Sequence, residues 1–380
     1  MLPMSKLVKF ANRYYTGILG VPHWPSKAFD HMVAKGGLNM TASGTPLKSQ
    51  IDSVILAITQ RCTYKCKHCY EYQNLAEEDS VPIERWKEVI KELQKIGVSI
   101  IVLSGGEPML RYSGVMELLE SGDKSLSDFH IHTSGYGVTL EKALALKKGG
   151  VDSAGIGLDD YDPDRHDKFR GYQGAYKEAI QAIEHCHQAG IFTYTNVCLR
   201  KELASSGNLW KFSGAMKDLN VGAILLLEPK PYGGYFFKDV DSLFSEEDKK
   251  VVTEFFFESN KNKKFKNFPY VSYMAYFESA CRFGCLMGGL SHLSINSLGD
   301  VQPCVFLPVS FGNIMKEDFL EIFKRMKRAV PGPLHKQCPA ITLAEEIREK
   351  KNQGKFLPIP YVEIENEWQK IFNSSSSSDF

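Results

Sequence analysis

The 380-residue sequence has little net charge and lacks long apolar runs and a signal-peptide core. A formal net charge of +1 creates no field that would steer the chain toward nucleic acid. Its densest basic run, NKNKKFK at 260–266, sits among polar residues like a solvated loop, so no nucleic-acid partner is expected. No stretch approaches the ~20 apolar residues of a membrane span. The opening MLPMSKLVKFANRYYTGILGVPHW is too polar and aromatic for a secretion signal, which makes a cytoplasmic location the expectation. That opening reads as an amphipathic helix carrying Leu7, Val8, Phe10 and Tyr14, packed on its own domain, with peripheral membrane contact as the alternative.

Against these absences stand nine cysteines, an odd number in a chain without a secretion signal. They are better read as ligands or core residues than as a disulfide framework. Cys62, Cys66 and Cys69 form one group, in ITQRCTYKCKHCYEY at 58–72; Cys281, Cys285, Cys304 and Cys338 form another. Cys186 lies on the helical stripe Tyr176, Ala179, Ile180, Ile183, and Cys198 lies in the strand-like IFTYTNVCL, so both read as small buried hydrophobes.

Apolar runs alternate with helical patterns along the chain. The strand-like runs are SVILAIT, SIIVLS, FHIHTS, DSAGIGL, IFTYTNV and GAILLLE, with PIERWKEVIKELQKIG, TLEKALALKKG and AYKEAIQAIEHCHQAG as helices between them. In PIERWKEVIKELQKIG, Trp86, Val89, Ile90 and Leu93 share one face, with Pro82 at the start and Gly97 at the end. Strands joined by helical crossovers imply a parallel sheet whose chemistry lies at the carboxyl ends of its strands. The first cysteine group follows the first strand and so occupies such a position. Three thiolates suit an iron–sulfur cubane with one unligated iron, whereas a structural zinc would close the set with His68 or a distant residue.

The C-x3-C-x2-C loop after the first strand resembles the signature of the radical S-adenosylmethionine (SAM) superfamily. The second strand ends in SGGEPML, similar to that family's GGE motif, at Gly105, Gly106, Glu107 and Pro108. The resemblance implies that this motif holds the SAM amino group, that Ser134 in TSGYG lies near SAM, and that His68 stands beside the adenine. In GIGLDDYDPDRHDKFRG it implies site roles for Asp159 and for Arg170, the latter as partner of the SAM carboxylate; the bland reading pairs Arg170 with Asp167 on the surface. Gly157 departs from the serine common in relatives. Glu107 alone would otherwise read as a helix-start carboxylate. The implied fold is a partial (β/α)6 TIM-like barrel, and the implied activity is reductive cleavage of SAM by a [4Fe–4S] cluster to a 5′-deoxyadenosyl radical. A flavodoxin- or ferredoxin-type electron donor follows, with a small molecule or peptide as the unidentified substrate.

The stretch ESACRFGCLMGGLSHLSINSLGDVQPCVFLPVSFGNI reads as a hairpin flanked by thiols. It resembles Twitch and SPASM auxiliary-cluster extensions, a single-cluster Twitch-like unit fitting the four cysteines best. A second, auxiliary [4Fe–4S] cluster on Cys281, Cys285, Cys304 and Cys338 is implied, Cys338 being the least secure ligand, with zinc as the alternative. The expected division is an N-terminal extension at 1–47, the barrel at 48–240, the auxiliary domain at 241–345 and a C-terminal extension at 346–380 ending in a disordered serine tail. The N-terminal extension is too short for a winged-helix leader-peptide domain. EPKPYGGYFF at 228–237 reads either as a ligand approach or as a linker. Other readings are a bond-forming radical SAM enzyme on a lipid-like substrate and a non-catalytic iron–sulfur or zinc protein.

Overall fold

A computed structural model describes residues 6–16, 21–35, 51–239 and 243–373. The serine tail lies outside these residues, as does the expected boundary at 240–241. All six expected strands form: β3 (Ser53–Ala57), β4 (Ile100–Ser104), β5 (Asp128–Thr133), β6 (Val151–Gly157), β7 (Phe192–Cys198) and β8 (Ala223–Leu227). They pair in parallel in chain order. The sheet then continues beyond them. β9 (Tyr270–Tyr273) pairs with β8, and β10 (His292–Ile295) pairs with β3, both in parallel. The expected hairpin is present as β10 with the antiparallel β11 (Val301–Gln302), and it extends the barrel sheet directly.

Alternation along each strand separates two environments. Val54 and Leu56, Ile101 and Leu103, Phe129 and Ile131, Ala154 and Ile156, and Ile224 and Leu226 join the main apolar core. The opposite faces, including Ile55, Val102, His130, His132, Tyr194, Asn196 and Leu225, line a cavity inside the curved sheet. Helix Ile83–Lys95 buries Trp86, Val89, Ile90 and Leu93 as its periodicity predicts, and Gly97 ends it at φ +88°. Cys186 is fully buried on helix Ala175–Gln188.

The opening segment is a correction. It forms a β-hairpin, β1 (Val8–Phe10) with β2 (Arg13–Tyr15), turning through Ala11 and Asn12 at positive φ. Period-2 alternation wins here: Val8, Phe10 and Tyr15 pack on Phe192, Tyr194, Ala223 and Tyr270 at the amino-terminal end of the sheet. Tyr15 stacks on Phe192 with centroids 3.9 Å apart. The apolar side that motivated membrane contact is thus used internally, although Leu7 stays exposed. Among the described residues no helix is long and apolar enough to cross a membrane. At the other end, β12 (Val309–Ser310) pairs with β13 (Ile359–Pro360), and Trp368 donates its indole N–H to the Ala329 carbonyl at 2.8 Å, tying the C-terminal extension to the auxiliary region.

A charge cluster fastens the N-terminal segment under the barrel. His23 Nδ1 lies 2.8 Å from Asp128 and 3.1 Å from Asp152, and Arg13 donates to Asp152 at 2.8 Å. Burial alone would lower the His23 imidazole, but hydrogen bonds and charge from both aspartates raise it to about 9. A folded-state value above the unfolded ~6.5 contributes stability below pH ~6.5 that is lost as pH rises through 9. The melting temperature should therefore fall between pH 6.5 and 9 by about 2–4 °C per kcal/mol lost, with a loss on the order of 1 kcal/mol. His23→Gln should flatten that slope; an unchanged slope would place its origin elsewhere.

Candidate active site

The loop after β3 carries Cys62, Cys66 and Cys69 to the carboxyl end of the sheet, and all three border a cavity of about 270 Å³. The loop is held from several sides. Thr59 and the Gln60 N–H donate to Asp79 at 2.7 and 2.8 Å, Gln60 reaches the Asn74 carbonyl at 2.9 Å, and the Lys67 N–H reaches the Phe169 carbonyl at 3.2 Å. The GGE stretch docks on it through Gly106 N–H to Thr59 O and Glu107 N–H to Arg61 O, both 2.8 Å. Gly105, at φ +136°, permits this: a Cβ there would lie 2.6 Å from Thr59 O.

The paired glycines of EPKPYGGYFF pack on the same loop, while Glu228, Lys230, Tyr232 and Tyr235 of that stretch line the cavity. Gly234 N–H donates to Cys69 O at 2.9 Å, and Gly233 rests against the backbone of Cys69 and Tyr70. The chain after β8 thus braces the cysteine loop from the far side.

Glu107 is fully buried. Thr133 Oγ1 donates to it at 2.6 Å, Ser134 N–H at 2.8 Å, Ser134 Oγ at 2.6 Å and Met109 N–H at 3.1 Å. It therefore caps the short turn Pro108–Arg111, the expected bland role, and also pins the end of β5 to the GGE loop. Burial pushes its carboxyl above the ordinary range despite these four donors.

Asp159 and Arg170 come together from β6 and helix Pro163–Arg170, with Arg170 Nε donating to Asp159 Oδ2 at 2.6 Å. The surface pairing with Asp167 does not form; Asp167 accepts from the Gly174 and Tyr176 N–H groups. Burial alone would raise the Asp159 carboxyl, but the Arg170 guanidinium, helped by His68, His166 and the Cys198 N–H, holds it at about 2. The same guanidinium explains Gly157: a Cβ at that position would lie 2.6 Å from Arg170 Nη1. Serine there would displace the arginine. His68 stacks on Phe169 with centroids 4.5 Å apart, and burial lowers its imidazole to about 4, so it stays neutral. Its Nδ1 is buried without a hydrogen-bond partner, as is Asn196 Oδ1 at the cavity wall.

Burial pushes the Cys62 thiol up to about 12 and raises that of Cys69 well above its ordinary value, so loading a metal onto these sulfurs releases protons. Among the described residues, only His23, Asp128 and Asp152 bring three ligand atoms within 4.8 Å of one another. A tetrahedral zinc with Zn–S of ~2.3 Å needs its sulfurs about 3.8 Å apart. A cubane instead takes each thiolate on a separate corner iron, so three thiolates leave its fourth iron open. The orphaned His68 and Asn196 atoms add polar contacts for a further molecule in the cavity.

The auxiliary cysteines divide unexpectedly. Cys285, buried in a bridge with Leu334, lies within electrostatic reach of Cys304 and Cys338. Cys338, expected to be the least secure, belongs to this set. Cys281 is the outlier, exposed on the turn before it with its sulfur 3.6 Å from Ser279 Oγ.

Several cavity residues escaped sequence reading. His132 Nε2 lies 2.7 Å from Tyr194 Oη, and His130 Nδ1 lies 3.4 Å from it. Glu228 and Lys230 face the cavity after β8. The i, i+2 spacing of the histidines in FHIHTS was the available signal, since it puts both on the inward face.

A parallel α/β barrel whose first strand delivers a thiol triplet to its carboxyl end defines an iron–sulfur enzyme architecture. Residues 56–205 match the radical SAM superfamily, and residues 285–340 match the SPASM iron–sulfur cluster-binding domain. The chain thus contains a radical SAM domain followed by a C-terminal SPASM-type iron–sulfur domain. The family's cofactors are SAM and a [4Fe–4S] cluster, with auxiliary iron–sulfur binding added by the SPASM domain. The chain is 28% identical to the AdoMet-dependent heme synthase of Methanosarcina barkeri, over 70% of this chain and 80% of that protein. It shares its fold with Streptococcus suis SuiB bound to precursor peptide SuiA (TM-score 0.57, 18% identity, 72% of this chain and 65% of that one). It also resembles anSMEcpe with bound AdoMet (TM-score 0.56, 16% identity, 86% and 100%).

Proposed function

We propose that the chain is a radical SAM enzyme that binds SAM and its substrate in the cavity at the carboxyl end of the barrel. The observation that carries this is the convergence there of the Cys62, Cys66 and Cys69 loop, the Gly105–Gly106 docking turn and the Asp159–Arg170 pair. The three cysteines would hold the first [4Fe–4S] cluster, and Cys285, Cys304 and Cys338, with Cys281 at the rim, the second. When bound and reduced by one electron, cluster and SAM together supply a 5′-deoxyadenosyl radical able to take hydrogen from an unactivated carbon.

The remaining work falls to side chains. Arg170, held by ionised Asp159, keeps a fixed positive charge beside Cys66 and offers its free N–H groups to a carboxylate. Ser134, anchored by Glu107, lines the cavity where the SAM amino acid portion would lie. Neutral His68 presents a ring and an unpaired nitrogen to an aromatic base. Tyr70, Tyr194, Tyr232, Tyr235 and Phe306 wall the rest of the cavity and exclude water from a reactive intermediate. The substrate is a small molecule or a peptide, the two kinds represented among the relatives, and a low-potential one-electron donor is needed.

Anaerobic reconstitution followed by dithionite reduction with SAM tests this reading. About eight irons per chain, a paramagnetic signal perturbed by SAM and formation of 5′-deoxyadenosine are expected. No SAM cleavage under strong reduction would leave a non-catalytic metal-binding protein.

A further inference from the structure

Between the barrel cavity and the auxiliary thiols sits a buried ion pair that the SAM site does not use. Lys230 Nζ donates to Glu228 Oε2 at 2.8 Å, and Tyr273 Oη donates to Glu228 Oε1 at 2.5 Å. Both charged side chains are nearly buried, 13% and 9% exposed. Glu228 is therefore turned toward β9, where Tyr273 ends the strand. Lys230 Nζ stays on the Glu228 carboxylate, and Cys304 and Cys338 lie near enough to act electrostatically on its ammonium. Val305 and Phe306, next to Cys304, line the same cavity as Lys230. The opposing carboxylate is Glu278, which faces Cys285 and Cys304 and lies 3.6 Å from His292.

Keeping a lysine charged in such a place is costly unless it is paired and the pair has a purpose beyond stability, since apolar replacements of buried ion pairs are often neutral or stabilising. We propose that Lys230, held by Glu228 and Tyr273, is a positioning residue that sets the electron affinity of the auxiliary iron–sulfur cluster. The inference rests on the reading of Cys285, Cys304 and Cys338 as ligands of that cluster. One electron taken up there adds one negative charge to a thiolate-ligated group. An ammonium beside Cys304 and Cys338 favours that reduced form, and the Glu228 carboxylate behind it moderates the effect. A substrate radical formed in the cavity would face an acceptor whose potential this pair has fixed.

The test is a dithionite redox titration of the reconstituted full chain, followed by electron paramagnetic resonance. The auxiliary signal is the one that SAM does not perturb. Lys230→Met should shift the reduction equilibrium about tenfold toward the oxidised form, about 59 mV for one electron. Glu228→Gln should shift it in the opposite direction, because the ammonium remains while the opposing carboxylate is gone. Lys230→Arg should stay near the wild-type value and controls for misfolding. Unchanged potentials in both charge variants, or shifts of the same sign, would overturn the proposal, since loosened packing has no reason to give opposite signs. An iron content near four per chain in the wild-type protein would remove the second cluster itself, and the proposal with it.

Discussion

The Cys62→Ala, Cys66→Ala and Cys69→Ala variants are expected to form no 5′-deoxyadenosine while keeping about four of about eight irons per chain. The expectation is complete loss, because two thiols leave two corner irons without protein ligands where the site has room for one. Folding should survive. Each substitution removes a single sulfur atom: Cys66, 8% exposed, sits in a small cluster with Tyr64 and Ala175, and Cys62 and Cys69 are partly buried against it. A deletion of that size costs about 1 kcal/mol. The loop itself is braced by hydrogen bonds that do not involve the sulfurs, from Asp79, Asn74, Phe169 and Gly234. Iron analysis, the SAM-sensitive signal and product formation together check this. Retained SAM cleavage in any one variant would sink the assignment of the triplet.

Much of this site is legible in the sequence because its elements carry strong local signals. Six strands announce themselves by apolar runs between amphipathic helices, and the thiol loop and SGGEP stretch sit where a parallel sheet puts its chemistry. What is not legible depends on long-range pairing. Tyr270–Tyr273 is four residues long and becomes a strand because β8 offers it an edge. His292–Ile295 reads as half of a local hairpin, yet it also closes on β3, more than two hundred residues away. The opening segment reads as a helix because Leu7, Val8, Phe10 and Tyr14 satisfy a helical stripe; the packing of Tyr15 on Phe192 decides otherwise. Arg170 had two acidic candidates close in sequence, and only the bend between β6 and its helix selects Asp159. The surroundings of Lys230 have no local signature at all, since its neighbours Cys304 and Cys338 come from distant parts of the chain.

The auxiliary thiols give the second large expected effect, a contrast within the set. Cys285→Ala and Cys338→Ala should each lose the second complement of about four irons, whereas Cys281→Ala should retain most of it. The difference follows from surroundings. Cys285 is 8% exposed and joined to Leu334 by two backbone hydrogen bonds, and Cys338 starts the turn Pro339–Thr342 that packs into the same apolar core. An iron stripped of either sulfur would face buried, apolar side chains with no replacement ligand. Cys281 lies on an exposed turn, where water or Ser279 can take the vacated position. The matched SPASM segment begins at residue 285 and so includes Cys285, Cys304 and Cys338 but not Cys281. Iron content and the SAM-insensitive paramagnetic signal of the three variants decide it. If Cys281→Ala loses the cluster as fully as Cys285→Ala, the exposed cysteine is an obligatory fourth ligand and the turn at 279–284 must close over the metal. If Cys338→Ala keeps it, the three-sulfur grouping reflects packing alone, and the potential set by Lys230 would act mainly through Cys304.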